Sequence, residues 1–258
     1  VSIVERFDPD SLGPEPVDPE IRVLREDDPE TEVLRAAGWS VVGESWGARL
    51  HLPPDGDAQD AALGPCLQAV VEAARAGWRI EQLGPQDAAR IADLDADCAD
   101  DYPWTPATGH DVPDPEILGR RLRDGWSAFG AFRRDGDPDV ADAPGDDDWY
   151  DSDPDAPLSA VTVVSEHPDR VETEFTATHP DARHQGLATA VKAESILSLA
   201  AQGHRVFGTG GAAVNEGSLR ANLRLGYVLE PRWLSWRAPA PPAPATARAG
   251  RGSSPTER

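Results

Sequence analysis

Residues 178–188 read Thr178-His179-Pro180-Asp181-Ala182-Arg183-His184-Gln185-Gly186-Leu187-Ala188, and a long apolar-periodic run carries on to about Gly203. After it come a short Val206-Phe207 strand, a glycine turn, Asn215, a second helical run holding Asn222, and Leu225-Gly226-Tyr227. The alternation ahead of Thr178 predicts a strand, and the periodic run behind Gly186 predicts a helix. A strand that ends in small residues and opens directly into a helix leaves several main-chain N–H groups unpaired at the positive end of a helix dipole. Such a place binds phosphate. Gly186 lets the main chain approach a pyrophosphate with no Cβ in the way, and Ala188 keeps the helix start close.

Arg183, Gly186 and Ala188 fit the loop pattern Arg/Gln-x-x-Gly-x-Gly/Ala. With the strand before them and the Asn215, Asn222 and Leu225-Gly226-Tyr227 series behind, they resemble the GCN5-related N-acetyltransferase (GNAT) superfamily. The resemblance covers roughly residues 78–237. It implies an α/β fold with a mixed, mainly antiparallel central sheet flanked by helices. It also implies acetyl-CoA as cofactor, with the pyrophosphate cradled by Arg183, His184, Gln185, Gly186, Leu187 and Ala188. The strand end Thr176, Ala177, Thr178 would hold the pantetheine arm and polarise the thioester oxygen. Asn215 stands where the family often has an asparagine on the cofactor arm, and it is equally a good N-cap for the next helix. Asn222, also placed in the cofactor set, occupies the position at which many members carry a tyrosine that protonates the departing thiolate. An amide cannot act as that acid. Water, the hydroxyl of Tyr227 or Tyr102, or a loss of catalysis all remain open.

Upstream, Glu172 and Glu174 lie two apart on the strand and so share a face. By the same resemblance Glu172 falls where histone-type members place the glutamate that deprotonates the acceptor amine. A carboxylate there makes chemical sense, since only a neutral amine attacks a thioester. Glu172, Glu174 and Tyr227 are the catalytic candidates. The loop with Asp101, Tyr102 and Trp104 is the expected acceptor-binding segment, because acids beside aromatics suit an ammonium group.

Further elements follow from the same patterns. Residues 21–24 read as a strand, 30–37 as a helix closed by Gly38, 39–52 as a hairpin and 53–59 as a linker. A helix is expected from Pro65, with proline at its first position and Gly77 past its end. Strands are expected at 78–83, 126–133, 158–165 and 171–178, and helices at 86–99 and 116–123. As domains, this gives an acidic, disordered stretch at 1–20, a small N-terminal GNAT-like module at 21–77 and the acetyltransferase domain at 78–237. An acidic loop insertion occupies 135–157, and a disordered Ala/Pro-rich tail runs from 238 to 258. Leu34-Arg35-Ala36-Ala37-Gly38-Trp39 with Trp46 echoes Leu223-Arg224-Leu225-Gly226-Tyr227 with Trp233. That echo is consistent with a truncated repeat, or with the commonness of a glycine-capped helix end.

Composition narrows the function. The formal charge of −22 argues against nucleic acid and against acidic lipid surfaces. One lysine among 24 basic residues, with much Ala, Pro and Asp, suggests a GC-rich bacterial genome. Cys66 and Cys98 make no disulfide framework or zinc site. No apolar run of about 18 residues appears, so a cytoplasmic protein is expected. Asp135-x-Asp137-x-Asp139 lacks the glycine and glutamate of a calcium loop, and no metal is expected. Gly208-Thr209-Gly210-Gly211-Ala212-Ala213, with Glu230 behind it, imitates a dinucleotide-binding loop and keeps a nucleotide-dependent oxidoreductase as a minor alternative. The leading expectation is acetyl transfer to a small-molecule or peptide amine in a ternary complex. A non-catalytic acyl-CoA sensor is its rival, and a homodimer is compatible with either.

Overall fold

The structure, a computed structural model, describes residues 21–134 and 156–239. The expected disorder at 1–20, the aspartate-rich part of the insertion and the tail from 240 onward lie outside the described residues.

Along the chain run β1 (Ile21–Arg25), α1 (Glu30–Ala36), β2 (Ser40–His51), α2 (Asp57–Arg75), β3 (Trp78–Leu83), α3 (Ala88–Asp97) and α4 (Pro115–Arg121). They are followed by β4 (Trp126–Arg133), β5 (Leu158–Glu166), β6 (Val171–Thr178), α5 (Leu187–Ala201), β7 (Val206–Ala212), α6 (Glu216–Arg224), β8 (Val228–Leu229) and β9 (Trp233–Arg237). One nine-stranded sheet orders them β1-β9-β2-β7-β6-β5-β4-β3, with β8 on β2. Every pairing is antiparallel except β6 with β7. The β1 and β2 strands of the N-terminal segment thus lie in the same sheet as the rest.

The sheet buries both faces. On one side Ile91, Leu94 and Leu118 of α3 and α4 pack on Phe132, Val161, Val163 and Phe175. On the other, α2 and α5 bring Cys66, Ala69, Ala193, Ile196 and Leu199 against Trp46, Leu50, Val171 and Phe207. Each fully buried aliphatic side chain contributes about 1.5–3 kcal/mol, which is why α5, apolar nearly all round, sits across the middle.

The two echoed segments have the same local geometry. Gly38 and Gly226 are left-handed, at φ +83° and +93°. Trp39 N donates to Leu34 O at 3.0 Å, and Tyr227 N to Asn222 O at 3.2 Å. β1-α1-β2 and β7-α6-β9 then exchange their second strands: β9 lies between β1 and β2, and β2 between β9 and β7.

Three expectations need correction. Residues 39–52 form no hairpin, since β2 is a single 12-residue strand with a bulge between Val41 and Gly43. Its glycines make room instead of turning: a Cβ at Gly43 would meet Pro106 at 3.3 Å, and one at Gly47 would meet Glu230 at 3.3 Å. Pro65 lies inside α2, which begins at Asp57. The carbonyl of Ala61 that loses its partner is on an exposed residue, so water replaces the bond. Finally, Gly208, Gly210 and Gly211 form no turn or dinucleotide loop. They are strand residues of β7 paired with β2, as Gly208↔Arg49, Gly210↔Gly47 and Gly211↔Trp46.

Candidate functional site

β6 and β7 pair only at Val171↔Phe207 and Glu172↔Gly208, after which the strands part. The parting coincides with a bulge in β6. Thr173 faces Val164 and Phe175 faces Val163, leaving Glu174 as the extra residue. A bulge bends its strand and adds twist, which carries the far end of β6 away from β7. Beyond it, the carbonyl of Thr178 accepts from Arg183 Nε at 3.1 Å and from Cys98 Sγ at 3.4 Å. The carbonyl of Thr176 lies 3.5 Å from the Tyr102 hydroxyl. A strand residue turns its N–H and C=O to the same side, so the N–H groups of Thr176 and Thr178 face this opening too. Thr178 Oγ1 is buried without a partner among the described residues.

Past β6 the chain makes a short turn at Pro180–Ala182 and enters α5 through two left-handed residues, His184 at φ 62° and Gly186 at φ 78°. From His184 through Thr189 no main-chain N–H finds a partner among the described residues. Nothing lies within 4 Å of where a Gly186 Cβ would stand. These donors open on a small cleft lined by Gln185, Gly186 and Thr189, by Ala69, Glu72 and Ala73 of α2, and by Arg224 of α6. Arg224 is the cation there, 2.6 Å from Glu72. The Arg183 guanidinium points elsewhere, to Asp101 at 2.6 Å and to Thr178 O. What this loop presents to the cleft is therefore main-chain dipoles and the positive end of α5, the arrangement by which helix starts can take an anion.

The remaining candidates fall into separate groups. Glu172 is held by Arg170 at 2.8 Å and Arg49 at 3.1 Å. Glu174, exposed at the bulge, accepts from Ser165 Oγ at 2.5 Å, and partial desolvation by its neighbours pushes its pKa up from the ordinary carboxylate value. Tyr227 is buried in the α2/α5 face, and burial, Cys66 and Glu172 push its hydroxyl pKa upward. Nearby, Lys192 of α5 is buried between Thr173 and Thr209, and desolvation brings its pKa down to about 7. Asn215 caps α6 by accepting from Ser218 N at 3.1 Å. Asn222 is fully buried, giving Nδ2 to Ser218 O at 2.8 Å and leaving Oδ1 unpartnered among the described residues. Asp101 pairs with Arg183, and Trp104 is 71% exposed.

Asp95 and His110 were not singled out from sequence. The Asp95 side chain, fully buried, accepts from Tyr102 Oη at 2.7 Å and lies 2.6 Å from His110 Nε2. The available signal was an aspartate on the apolar stripe Ile91-Asp95-Cys98 of α3. Among the described residues no His/Cys/Asp/Glu group could hold a metal ion, and no helix is long and apolar enough to cross a membrane.

No family model matches the chain, and no curated protein matches it in sequence. Solved structures do match in fold. A GCN5-related N-acetyltransferase from Sphaerobacter thermophilus aligns with 84% of this chain at TM-score 0.55 and 14% identity. A tandem GNAT protein from the clavulanic acid biosynthesis pathway, solved without AcCoA, aligns with 87% at TM-score 0.49 and 17% identity. A GCN5-related N-acetyltransferase from Kribbella flavida aligns with 86% at TM-score 0.46 and 14% identity, over 68% of its own length. The chain spans 58% of the Sphaerobacter structure and 65% of the tandem one, under two thirds of each. With a single mixed sheet, a bulged β6 that parts from β7, and helices on both faces, the chain has the GCN5-related N-acetyltransferase fold.

Proposed function

We propose that this protein transfers an acyl group, acetyl in the first instance, from a coenzyme A thioester to an amine. The observation that carries the reading is the run of unpartnered N–H groups from His184 to Thr189, set at the head of α5 beside the edge where β6 leaves β7. Those donors would hold the pyrophosphate, with Arg224 released from Glu72 to face it. The open edge at Thr176 and Thr178 would take the amide arm and orient the thioester carbonyl. The bound cofactor supplies the activated acyl carbon. Of the two strand glutamates, Glu174 is the better proton carrier. Its raised pKa shifts it toward the acceptor's range, whereas Glu172 is engaged by two arginines.

A second reading, an acyl-CoA-binding module without turnover, draws on Asn222 and Tyr227. The first cannot give a proton to a thiolate, and the second is sealed in the core. Calorimetric titration with acetyl-CoA, with NADH as control, tests the proposal. Saturable binding of acetyl-CoA alone is expected, and its absence overturns both readings. Binding without thiol release across an amine panel would leave the second.

A further inference from the structure

We propose that His110, oriented by Asp95, is the proton acceptor for the incoming amine. This rests on the acyltransferase reading above. The geometry starts with an acid in an apolar place. Asp95 lies on the face of α3 that packs against the sheet, between Leu94 and Cys98, with a side chain of zero exposure. A carboxylate there is tolerated only if both oxygens are satisfied. Oδ1 accepts from Tyr102 at 2.7 Å, and Oδ2 faces His110 Nε2 at 2.6 Å. With the proton on Nε2, directed at Oδ2, the ring keeps a lone pair on Nδ1 that can take a second proton. Nδ1 has no partner among the described residues and is not among the buried unpartnered atoms, so it is open to water.

The ring is also in the right place. It lies 4.6 Å from the Tyr102 ring and 5.0 Å from the Phe175 ring of β6, centroid to centroid. Tyr102 in turn reaches to 3.5 Å from the Thr176 carbonyl, on the strand edge assigned to the thioester. The titratable groups of α3 and the following loop that pack here are Asp95, Cys98 and Tyr102, with the Arg183–Asp101 pair beyond Cys98. β6 presents Phe175 to the ring.

Anchoring does not explain the cluster. The same loop is tied down at Thr105, which bonds Ser45 of β2 at 2.9 Å and Thr108 at 2.7 Å, and at Asp114, which caps α4. Well-packed apolar residues would pin the remaining stretch as well as a buried acid. In the transfer, the amine nitrogen bonds to the acyl carbon and the carbon–sulfur bond breaks with its electron pair on sulfur. The amine proton passes to His110 Nδ1, and Asp95 stabilises the imidazolium through Nε2–H. The ring then returns the proton to solvent, from which the thiolate is protonated. Asp95 is a positioning residue.

The test uses the full chain and diethyl pyrocarbonate, which acylates a free imidazole nitrogen, with peptide mapping of each histidine. His110 is expected to react, and saturating coenzyme A is expected to slow it at least 10-fold without affecting the exposed His51. Failure of His110 to react, or coenzyme A binding without protection, overturns the proposal. Failure of coenzyme A to bind overturns the acyltransferase reading itself. Next, His110→Gln keeps a donor toward Asp95 but takes no proton. Acetyl-CoA affinity should stay within 3-fold while thiol release with amines falls at least 30-fold, and added imidazole should partly restore His110→Ala. An unchanged rate in His110→Gln, or a wild type that binds acetyl-CoA yet releases no thiol, also overturns it. Should the Gln variant fail to fold, the wild-type protection experiment decides.

Discussion

Lys192 Nζ stands 3.2 Å from the Oγ1 of Thr209, and Thr173 Oγ1 is 3.3 Å away on its other side. The chain's single lysine thus bridges β6 and β7 next to the point where they separate, and no carboxylate bonds to it among the described residues. Burial brings its pKa from 10.5 down to about 7. In the unfolded chain the amine stays protonated up to its ordinary value. Between about pH 7 and pH 10.5 the unfolded state therefore binds more protons than the native one, and stability rises with pH across that window. Lys192→Met should flatten this dependence and stabilise the fold near pH 7. The gain is bounded by the shift at on the order of 5 kcal/mol, less the two lost hydroxyl contacts. Urea denaturation at pH 7, 8, 9 and 10 measures it, and identical slopes for the two proteins would refute the assignment.

Gly186 separates binding from folding. Its φ of 78° costs a non-glycine residue about 1–2 kcal/mol, but open space at its Cβ leaves room for a side chain. Gly186→Glu should therefore fold with a modest loss of stability. Its carboxylate would stand among the donors meant for phosphate, and charge-assisted hydrogen bonds of this kind are worth about 1.5–3 kcal/mol each. Acetyl-CoA affinity should fall by roughly 100-fold or more, since each 1.4 kcal/mol is tenfold. Unchanged affinity by calorimetry in the folded variant removes the loop from the site.

These two residues also show what the sequence could and could not disclose. β3, β4 and β6 matched their expected bounds, because each is set off by turn residues and shows either an alternating pattern, as in β3 and β6, or the near-continuous buried run of β4. The strand-loop-helix passage at residues 178–189 was legible for a local reason: strand end, glycine and helix start are close in sequence. β2 was misread because glycine has two uses. At Gly43 and Gly47 it admits Pro106, Glu230 and Trp233 from distant segments, and no local pattern reports that. Asp95 and His110 are 15 residues apart and meet only because the α3–α4 loop folds back over β6. The displaced guanidinium of Arg183 was equally out of reach, being set by Asp101 across the same loop.

The glycines of β7 give a paired test of that lesson. A Cβ at Gly211 would stand 2.8 Å from Cζ2 of the buried Trp46 ring, which has no room to retreat. Gly211→Ala should cost about 1–3 kcal/mol from overpacking. Gly217, exposed in α6 with only Asn215 Oδ1 near its Cβ position, at 3.8 Å, should behave oppositely. Gly217→Ala removes the helix penalty of glycine and should stabilise by about 0.5–1 kcal/mol. Denaturant midpoints for both variants check the signs. A neutral Gly211→Ala would mean that Trp46 does not fill the space above β7.

Glu174 allows stability and chemistry to be read from one substitution. Crowding by its neighbours raises its pKa above the ordinary carboxylate value, an effect that solvent screens at this exposed side chain, so over a narrow window between the two the native state holds a proton that the unfolded chain has released. Stability is then full below the unfolded value and falls as pH rises through the folded one, leaving a penalty at neutral pH. Glu174→Gln removes the ionisation and keeps an oxygen to accept from Ser165. The variant should be more stable than the wild type at pH 7, equal to it at low pH, and flatter between. If Glu174 also relays the proton in transfer, thiol release should drop 10-fold or more at unchanged acetyl-CoA affinity. Since His110 is the assigned acceptor, the two substitutions separate the roles. A loss with His110→Gln alone makes Glu174 an exposed residue of the β6 bulge outside the reaction, whereas a loss with both places it on the route the proton takes to solvent.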